Sequence, residues 1–228
     1  GVLLTWRAMC PALQDEWPED EPAEHWRGVT MENGRVVELD LSGVGLTGAV
    51  PAEIRQLTAL RLLWLSHNQL TSVPAEIWQL TSLKELCLYL NQLTSLPAEI
   101  GQLTSLEDLC LTCCQLTSVP AEIGQLHSLR ELNLGINQLM SVPAEIGHLT
   151  SLKELYLGGN RLTSLPADIG QLSSLEHLHL YDNQLTSLPA EIGQLQSLCN
   201  LNLSVNQLTS VPAEIGHLFF LDVLSLRD

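Results

Sequence analysis

The sequence predicts an α/β solenoid, in which short parallel strands line a concave sheet and short 3₁₀ or irregular segments form the convex side. The first observation is an internal repeat, since self-similarity at a fixed period of this length is typical of stacked arrays. From residue 36 onward one unit recurs, with a first step of 24 residues and later steps of 23. The copies open at Val36, Leu60, Leu83, Leu106, Leu129, Leu152, Leu175, Leu198 and Leu221. The second observation is that no single copy could bury its own leucines, whereas stacked neighbours could.

Each copy contains a strand, a turn and a return stretch. In the copy that opens at Leu83, the alternation of Leu86 and Leu88 predicts a short strand with its leucines inward. The amide of the asparagine that follows can satisfy backbone groups where the chain leaves the strand. Stacked copies should form a buried asparagine ladder of Asn68, Asn91, Asn137, Asn160, Asn183 and Asn206, with Cys114 in the fourth copy.

The return stretch begins at a proline, which cannot continue a strand because it fixes φ and lacks a donor. The following P-A-E-I-G-Q-L segment is too short for a proper α-helix, which predicts a 3₁₀ helix or a single turn. We expect its glycine to be a turn residue.

The repeat pattern carries a family resemblance. Nearly every copy matches L-x-x-L-x-L-x-x-N/C-x-L, which resembles the leucine-rich repeat family over about 190 of the 228 residues. The resemblance implies a horseshoe-shaped solenoid. The 23-residue form with L-x-x-L-P-x-x-I-G-x-L looks like the Ras-group-related and scaffold-type repeats, which implies an intracellular signalling adaptor. The WRGVT run before the first strand and the stretch GLTGAVPAEI resemble a plant-type N-terminal cap and first repeat.

Domain organisation follows from where the pattern starts and stops. We predict an N-terminal cap at residues 1–35, eight repeats at residues 36–220 and the strand of a partial ninth repeat at residues 221–228. The cap carries Trp6, Trp17 and Trp26, three of the five tryptophans, and a short amphipathic segment at residues 2–13.

The cysteines favour a reducing compartment. Where the plant-type cap places paired cysteines, this chain has Met31, and its only cap cysteine is Cys10. A secreted cap would normally be stapled, and six cysteines without framework spacing suggest free thiols. Neither a secretory apolar region nor a run long enough to span a membrane is visible. We therefore expect a cytoplasmic protein without membrane insertion.

The strongly acidic net charge argues against one class of partner. A net charge of −16 leaves no basic face to neutralise phosphates, so nucleic acid is not expected as a partner.

The varying positions of the repeat point to a recognition surface. The second, third, fifth, seventh and eighth positions face out of the concave sheet or flank it, and they differ between copies while the scaffold is copied. Tyrosine and tryptophan are typical interface anchors, and a run of acids favours a partner segment bearing Lys or Arg. The candidate partner-binding residues are Trp64, Glu85, Tyr89, Asp108, Glu131, Glu154, Tyr156, His177, His179, Tyr181 and Asp182. The alternative is that these are solvated strand positions, some paired with Lys84, Arg130 and Lys153.

Two clusters could carry chemistry. His177 and His179 share the concave face, but a metal site needs three or four converging ligands, so a polar contact patch is the preferred interpretation. Cys87, Cys110 and Cys113 lie on adjacent strands, where small surface residues are the preferred interpretation over zinc or a redox disulfide. No Ser-His-Asp arrangement or phosphate-binding glycine loop is present. The sequence therefore predicts no catalytic residue, cofactor or metal.

These observations predict a non-enzymatic protein-protein interaction module of the intracellular adaptor type. The alternative is a receptor ectodomain or immune-type recognition protein, because the NQLTSLP segment also resembles variable lymphocyte receptors. Phe219 and Phe220 replace the usual polar pair before the last strand. They suggest either a makeshift cap or a weak homodimer through the C-terminal edge.

Overall fold

A computed structural model describes residues 1–47 and 50–227 of the chain. Gly48 and Ala49, within the stretch compared with a plant-type first repeat, lie outside the described residues. So does Asp228, the last residue of the predicted partial repeat. The division into cap, repeats and terminal strand stays a prediction about domain organisation.

The N-terminal region is built around stacked tryptophans. It contains helix α1 (Val2–Met9), 3₁₀ turns at Pro11–Leu13 and Ala23–His25, and strands β1 (Val29–Glu32) and β2 (Arg35–Asp40). Trp17 stacks on Trp26 with ring centroids 5.1 Å apart and meets Trp6 edge-on at 6.4 Å. The indoles of Trp17 and Trp26 donate to backbone carbonyls at 3.0 and 2.9 Å, so these large buried rings leave no polar atom unpaired.

One ten-stranded sheet runs through the described chain, with its strands in sequence order. Strands β1 and β2 pair antiparallel, and every later neighbour pairs parallel and in register. The repeat strands are β3 (Leu62–Trp64), β4 (Glu85–Cys87), β5 (Asp108–Cys110), β6 (Glu131–Asn133), β7 (Glu154–Tyr156), β8 (His177–His179), β9 (Asn200–Asn202) and β10 (Val223–Ser225). The middle residue of β3 through β9 is a buried leucine, while its two neighbours are half-buried on the concave face. The predicted parallel sheet is confirmed.

The return stretches form 3₁₀ helices, as predicted. Each follows a proline in extended conformation, and each spans only five residues. They are Ala52–Gln56, Ala75–Gln79, Ala98–Gln102, Ala121–Gln125, Ala144–His148, Ala167–Gln171, Ala190–Gln194 and Ala213–His217.

The asparagine ladder ties each repeat to the one before it. The Asn91 amide donates to the carbonyl of Leu88 at 2.8 Å in its own repeat and to that of Leu65 at 2.9 Å in the preceding one. Its oxygen accepts from the backbone N–H of Leu70 at 2.9 Å. Cys114 keeps part of this pattern, since its thiol donates to the carbonyl of Leu88 at 3.1 Å. The ladder therefore satisfies backbone groups that stacking would otherwise bury unpaired.

The glycine of the return stretch is a packing residue, which corrects its assignment as a turn residue. Gly124 and Gly147 lie inside 3₁₀ helices, and neither has a left-handed φ. A Cβ on Gly147 would lie 2.4 Å from the carbonyl oxygen of Asp168 in the next repeat. Only glycine lets successive helices approach this closely, because any side chain would meet backbone. In the second repeat this glycine is replaced by Trp78, whose side chain is fully buried.

The true turn residue is the eighth of each repeat. It takes a left-handed φ in all eight copies, at Gly43, His67, Leu90, Cys113, Ile136, Gly159, Asp182 and Val205. For β-branched residues this conformation is strained. Ile136, at φ 51°, is such a case.

Candidate functional site

Four carboxylates lie side by side on the concave sheet. Glu85, Asp108, Glu131 and Glu154 occupy the third repeat position of β4 to β7, and each faces the next in strict register. Neighbouring strands are about 4.8 Å apart, so like charges are held well within the range of direct repulsion. We call these four residues the acidic ladder. All four are half-buried.

Nearby cations do not neutralise the acidic ladder. Lys84 pairs with Glu107 at 2.8 Å, and Arg130 reaches the same carboxylate at 3.7 Å. Lys153 pairs with Glu176 at 2.7 Å. These ion pairs join second-position residues to one another along the sheet. Within the described residues no ion pair includes a member of the acidic ladder, which removes the interpretation that Lys84, Arg130 and Lys153 neutralise it.

Burial and mutual repulsion hold protons on the acidic ladder. Burial is the main cause that raises the pKa of Asp108 to about 7, and the charges of Glu131 and Glu85 contribute to the same shift. Burial also raises the pKa of Glu131, with Glu154 adding to the effect. Near neutral pH Asp108 is therefore partly protonated, and a cation brought against it would displace that proton.

An aromatic side chain donates to the carboxylate at each end of the acidic ladder. The Trp64 indole donates to Glu85, and the Tyr156 hydroxyl donates to Glu154. Burial raises the pKa of Tyr156, and the hydrogen bond to Glu154 raises it as well, so the hydroxyl stays protonated. The Tyr156 ring stacks on His179 with centroids 4.9 Å apart and planes 9° apart.

Three of the four candidate aromatic rings are only partly exposed. Trp64, Tyr89 and Tyr156 are half-buried rather than exposed, because each contacts a neighbouring side chain. Tyr89 meets His67 edge-on, with ring centroids 5.0 Å apart. Tyr181 is the most open of the four at 38% exposure. Its ring covers Gly158, where a Cβ would lie 2.4 Å from the tyrosine Cε1.

The two histidines continue the surface beyond the acidic ladder. His177 lies opposite Glu154 in register, so it stands next in line along the third position. Burial lowers the pKa of His179, and the nearby His177 lowers it too. Asp182 follows β8 in the left-handed turn and is exposed. In the part of the chain that the structure describes, no three His, Cys, Asp or Glu side chains converge as a metal site would require.

The sequence reasoning missed two features of this surface. Glu107 and Glu176 form ion pairs with the cations that flank the acidic ladder. The signal in the sequence was that each of these acids follows two basic residues along the second repeat position. The other feature is Asn200, which lies opposite His177 and whose side-chain oxygen is buried without a partner among the described residues. No simple pattern in the sequence signals it.

Comparisons with known proteins agree with this architecture. A family model described as a leucine-rich repeat region matches residues 38–142 and 121–227. A leucine-rich repeat protein of Leptospira interrogans is 46% identical, with a TM-score of 0.76, over 78% of this chain and 46% of that one. The ectodomain of the plant receptor kinase GASSHO1/SCHENGEN3 from Arabidopsis thaliana, solved with CASPARIAN STRIP INTEGRITY FACTOR 2, is 31% identical with a TM-score of 0.87. That match covers 99% of this chain and 29% of the ectodomain.

A curated relative gives a shorter match. The leucine-rich repeat receptor protein kinase EMS1 of Arabidopsis thaliana is 43% identical over 61 residues, which is 26% of this chain and 5% of the kinase. The chain thus spans less than half the length of these three relatives. Among the described residues, no helix has the length and apolar character needed to cross a bilayer. Family model, sheet topology and asparagine ladder lead to one conclusion: the chain belongs to the leucine-rich repeat family.

Proposed function

We propose that this chain is a non-enzymatic module that binds a protein partner on its concave sheet, and that the partner presents a basic segment. The observation that carries the proposal is the acidic ladder, whose four carboxylates face the concave side without a cation of their own among the described residues. Desolvated like charges cost free energy, and a partner that brings lysine or arginine relieves that cost. The leucine-rich repeat fold supports a role in protein-protein interaction.

The geometry favours an extended segment with basic residues at alternate positions. The acidic ladder crosses four strands and is therefore roughly 14 Å long. Alternate side chains of an extended chain repeat at about 7 Å, so two or three of them span the ladder. Arginine suits the site best, because its planar guanidinium pairs with a carboxylate in bidentate fashion and stacks on aromatic rings. The stacked pair of Tyr156 and His179 offers such a ring beyond Glu154.

The test uses synthetic peptides in place of the unidentified partner. Extended peptides with arginine at alternate positions, and the same peptides with glutamate there, are titrated against the protein at low salt. We expect binding of the arginine series only, with affinity at least about tenfold weaker in the Asp108→Asn, Glu131→Gln double variant. The matched control is Glu99→Gln with Glu122→Gln, which replaces two carboxyl groups on the convex side. Equal loss in both variants would mean that only net charge matters, and equal binding of both peptide series would end the proposal.

For the cellular setting we propose an intracellular adaptor with scaffold-type repeats and a plant-type cap. Support comes from the free thiols, since Cys10 is the only cysteine of the cap and no disulfide joins the described cysteines. A second candidate, a receptor ectodomain, is favoured by the similarity over 99% of this chain to the GASSHO1/SCHENGEN3 ectodomain. Mass spectrometry of protein from its native source separates the two. Six free thiols without glycan fit the adaptor. A disulfide at Cys10 fits the ectodomain, as does a glycan on Asn202, which opens the glycosylation sequon Asn202-Leu203-Ser204.

We also propose a weak homodimer through the edge formed by β10. Phe219 and Phe220 are 80% and 65% exposed, next to the exposed Leu224 and Leu226. Two-fold contact would cover this apolar surface and close without forming fibres. Light scattering across a concentration series should show mass rising toward a dimer, and Phe219→Ser with Phe220→Ser should abolish the rise. A strict monomer at high concentration would rule the dimer out.

A further inference from the structure

Two thiols face each other on the concave sheet beside the acidic ladder. Cys87 ends β4 and Cys110 ends β5, and the register places one directly opposite the other. Adjacent strands hold Cα atoms about 4.8 Å apart, which lies inside the range of roughly 4.4–6.8 Å that a disulfide requires. Both side chains lie on the concave face, next to the buried middle leucines of their strands. Both are half-buried, so a small molecule can reach them.

The hydrogen bonds make the two sulfurs chemically unequal. The neighbouring Cys110 thiol, the Ser66 hydroxyl, which donates to the same sulfur at 3.1 Å, and the Tyr89 backbone together lower the pKa of Cys87 to about 6 against the opposing effect of burial. The neighbouring Cys87 and burial raise the pKa of Cys110, so this thiol keeps its proton. At neutral pH Cys87 is then a thiolate, which is the form that attacks disulfides. Cys110 lies beside it and is the thiol that would displace the small molecule from a mixed disulfide on Cys87.

The other cysteines lack this arrangement. Cys114 points into the core, where its thiol donates to the carbonyl of Leu88, and burial raises its pKa to about 12. Cys113 lies in the left-handed turn after β5, and burial raises its pKa. Cys10 lies after α1, and Cys199 lies on the repeat that contributes β9.

We propose that Cys87 and Cys110 form a reversible disulfide by exchange with a small aliphatic disulfide. The Cys87 thiolate attacks one sulfur of the small disulfide, whose S–S bond breaks and releases one small thiolate that takes up a proton. Cys110 then loses its proton to solvent, and its sulfur attacks Cys87. The mixed S–S bond breaks and releases the second small thiolate. Two protein thiols are oxidised and one small disulfide is reduced to two thiols, so atoms and electrons balance.

The product would alter the candidate binding surface. The Cys87–Cys110 bond would lie between Trp64 and Asn133 along the fifth repeat position, beside the line of the acidic ladder. It would also replace a thiolate whose charge acts on Asp108. The exchange itself does not require the proposed partner, so it can be tested separately from the proposed function.

The experiment treats the reduced full chain with oxidised glutathione under native conditions, then unfolds it in denaturant, alkylates the remaining thiols and measures the intact mass. We expect the protein to lose the mass of two hydrogen atoms, to keep four alkylatable thiols of its six, and to regain two on reduction. Cleavage after glutamate separates Cys87 from Cys110 at Glu99 or Glu107, and fragmentation of the linked peptides in the mass spectrometer then distinguishes Cys110 from Cys113 and Cys114, which share its peptide. Trypsin cannot do so, because no lysine or arginine lies between them.

Cysteine variants show which thiol attacks the small disulfide and which one completes the bond. Cys110→Ser should stop at a stable glutathione adduct on Cys87, and Cys87→Ser should form neither the adduct nor the bond. The matched control Cys113→Ser should form the Cys87–Cys110 bond as the unmodified chain does. A bond to Cys113 or Cys114 or a link between two chains would overturn the proposal, as would six thiols still free after the treatment.

Discussion

Asp108 and Glu131 face each other on neighbouring strands of the concave sheet, and neither carboxylate forms an ion pair within the described residues. Lys84 and Arg130, which flank them, both turn to Glu107 instead. The protein therefore keeps half-buried carboxylates side by side, although the flanking lysine and arginine could have formed ion pairs with them. Such an arrangement lowers stability, and a binding surface is where that cost is expected.

The first prediction concerns the pH dependence of folding. The folded pKa of Asp108 is raised from 3.8 to about 7, so the folded state holds its proton more tightly than the unfolded state. Its contribution to stability is therefore fully present below pH 3.8 and is lost as the pH rises through about 7. Asp108→Asn should raise the free energy of unfolding at pH 8 by about 1–2 kcal/mol, allowing for solvent screening of this half-exposed group. Urea unfolding at pH 4, 6 and 8 measures this.

The control for this prediction is Glu99→Gln on the convex side, which should leave the pH profile unchanged. A stability difference between Asp108→Asn and the unmodified chain that stays constant from pH 4 to pH 8 would show that Asp108 titrates normally.

The second prediction concerns repeat stacking. Gly147→Ala should lower the free energy of unfolding by about 1–3 kcal/mol, because its Cβ would meet backbone of the next repeat. Gly216 holds the same place in its 3₁₀ helix, and a Cβ added there would have no atom within 4 Å among the described residues. Gly216→Ala should therefore be neutral or stabilising by up to about 1 kcal/mol. Chemical denaturation of both variants measures this, and equal effects would refute the packing role.

The third prediction concerns association rates. If the acidic ladder attracts a basic segment, binding of an arginine peptide should slow as salt is raised, since charges are screened beyond about 10 Å at 0.1 M. Stopped-flow measurement from low to high salt should show the association rate falling while dissociation changes less. An association rate that does not depend on salt would show that the charges of the ladder do not attract the peptide.

The fourth prediction concerns the aromatic end of the acidic ladder. Tyr156→Ala removes the ring stacked on His179, so the free energy of binding the arginine peptide should become less favourable by about 1–2 kcal/mol. Tyr156→Phe keeps the ring but frees Glu154 from its hydrogen bond, and it should bind at least as well as the unmodified chain. Calorimetry of both variants, with circular dichroism to confirm the fold, decides the point. Retained affinity in Tyr156→Ala would remove this ring from the binding surface.

Sequence predicted the scaffold well because each scaffold position depends on local geometry. Alternating leucines such as Leu86 and Leu88 specify a strand, and Asn91 specifies the turn after it. The packing role of Gly147 was missed, since it depends on the backbone of the next repeat rather than on its own φ. The pairing of Lys84 with Glu107 was missed too, because several carboxylates lie within reach of that lysine and the choice among them is a matter of rotamers.

Proton release on binding tests whether the acidic ladder is the binding site. A cation placed against Asp108 lowers its pKa from about 7, so binding of the arginine peptide near neutral pH should expel part of a proton and tighten as the pH rises. Calorimetric titration in two buffers of different ionisation enthalpy measures the protons released. We predict release by the unmodified chain and by the Glu99→Gln control, and almost none by Asp108→Asn. Peptide binding without proton release, or with the same release in Asp108→Asn, would show that the peptide binds elsewhere.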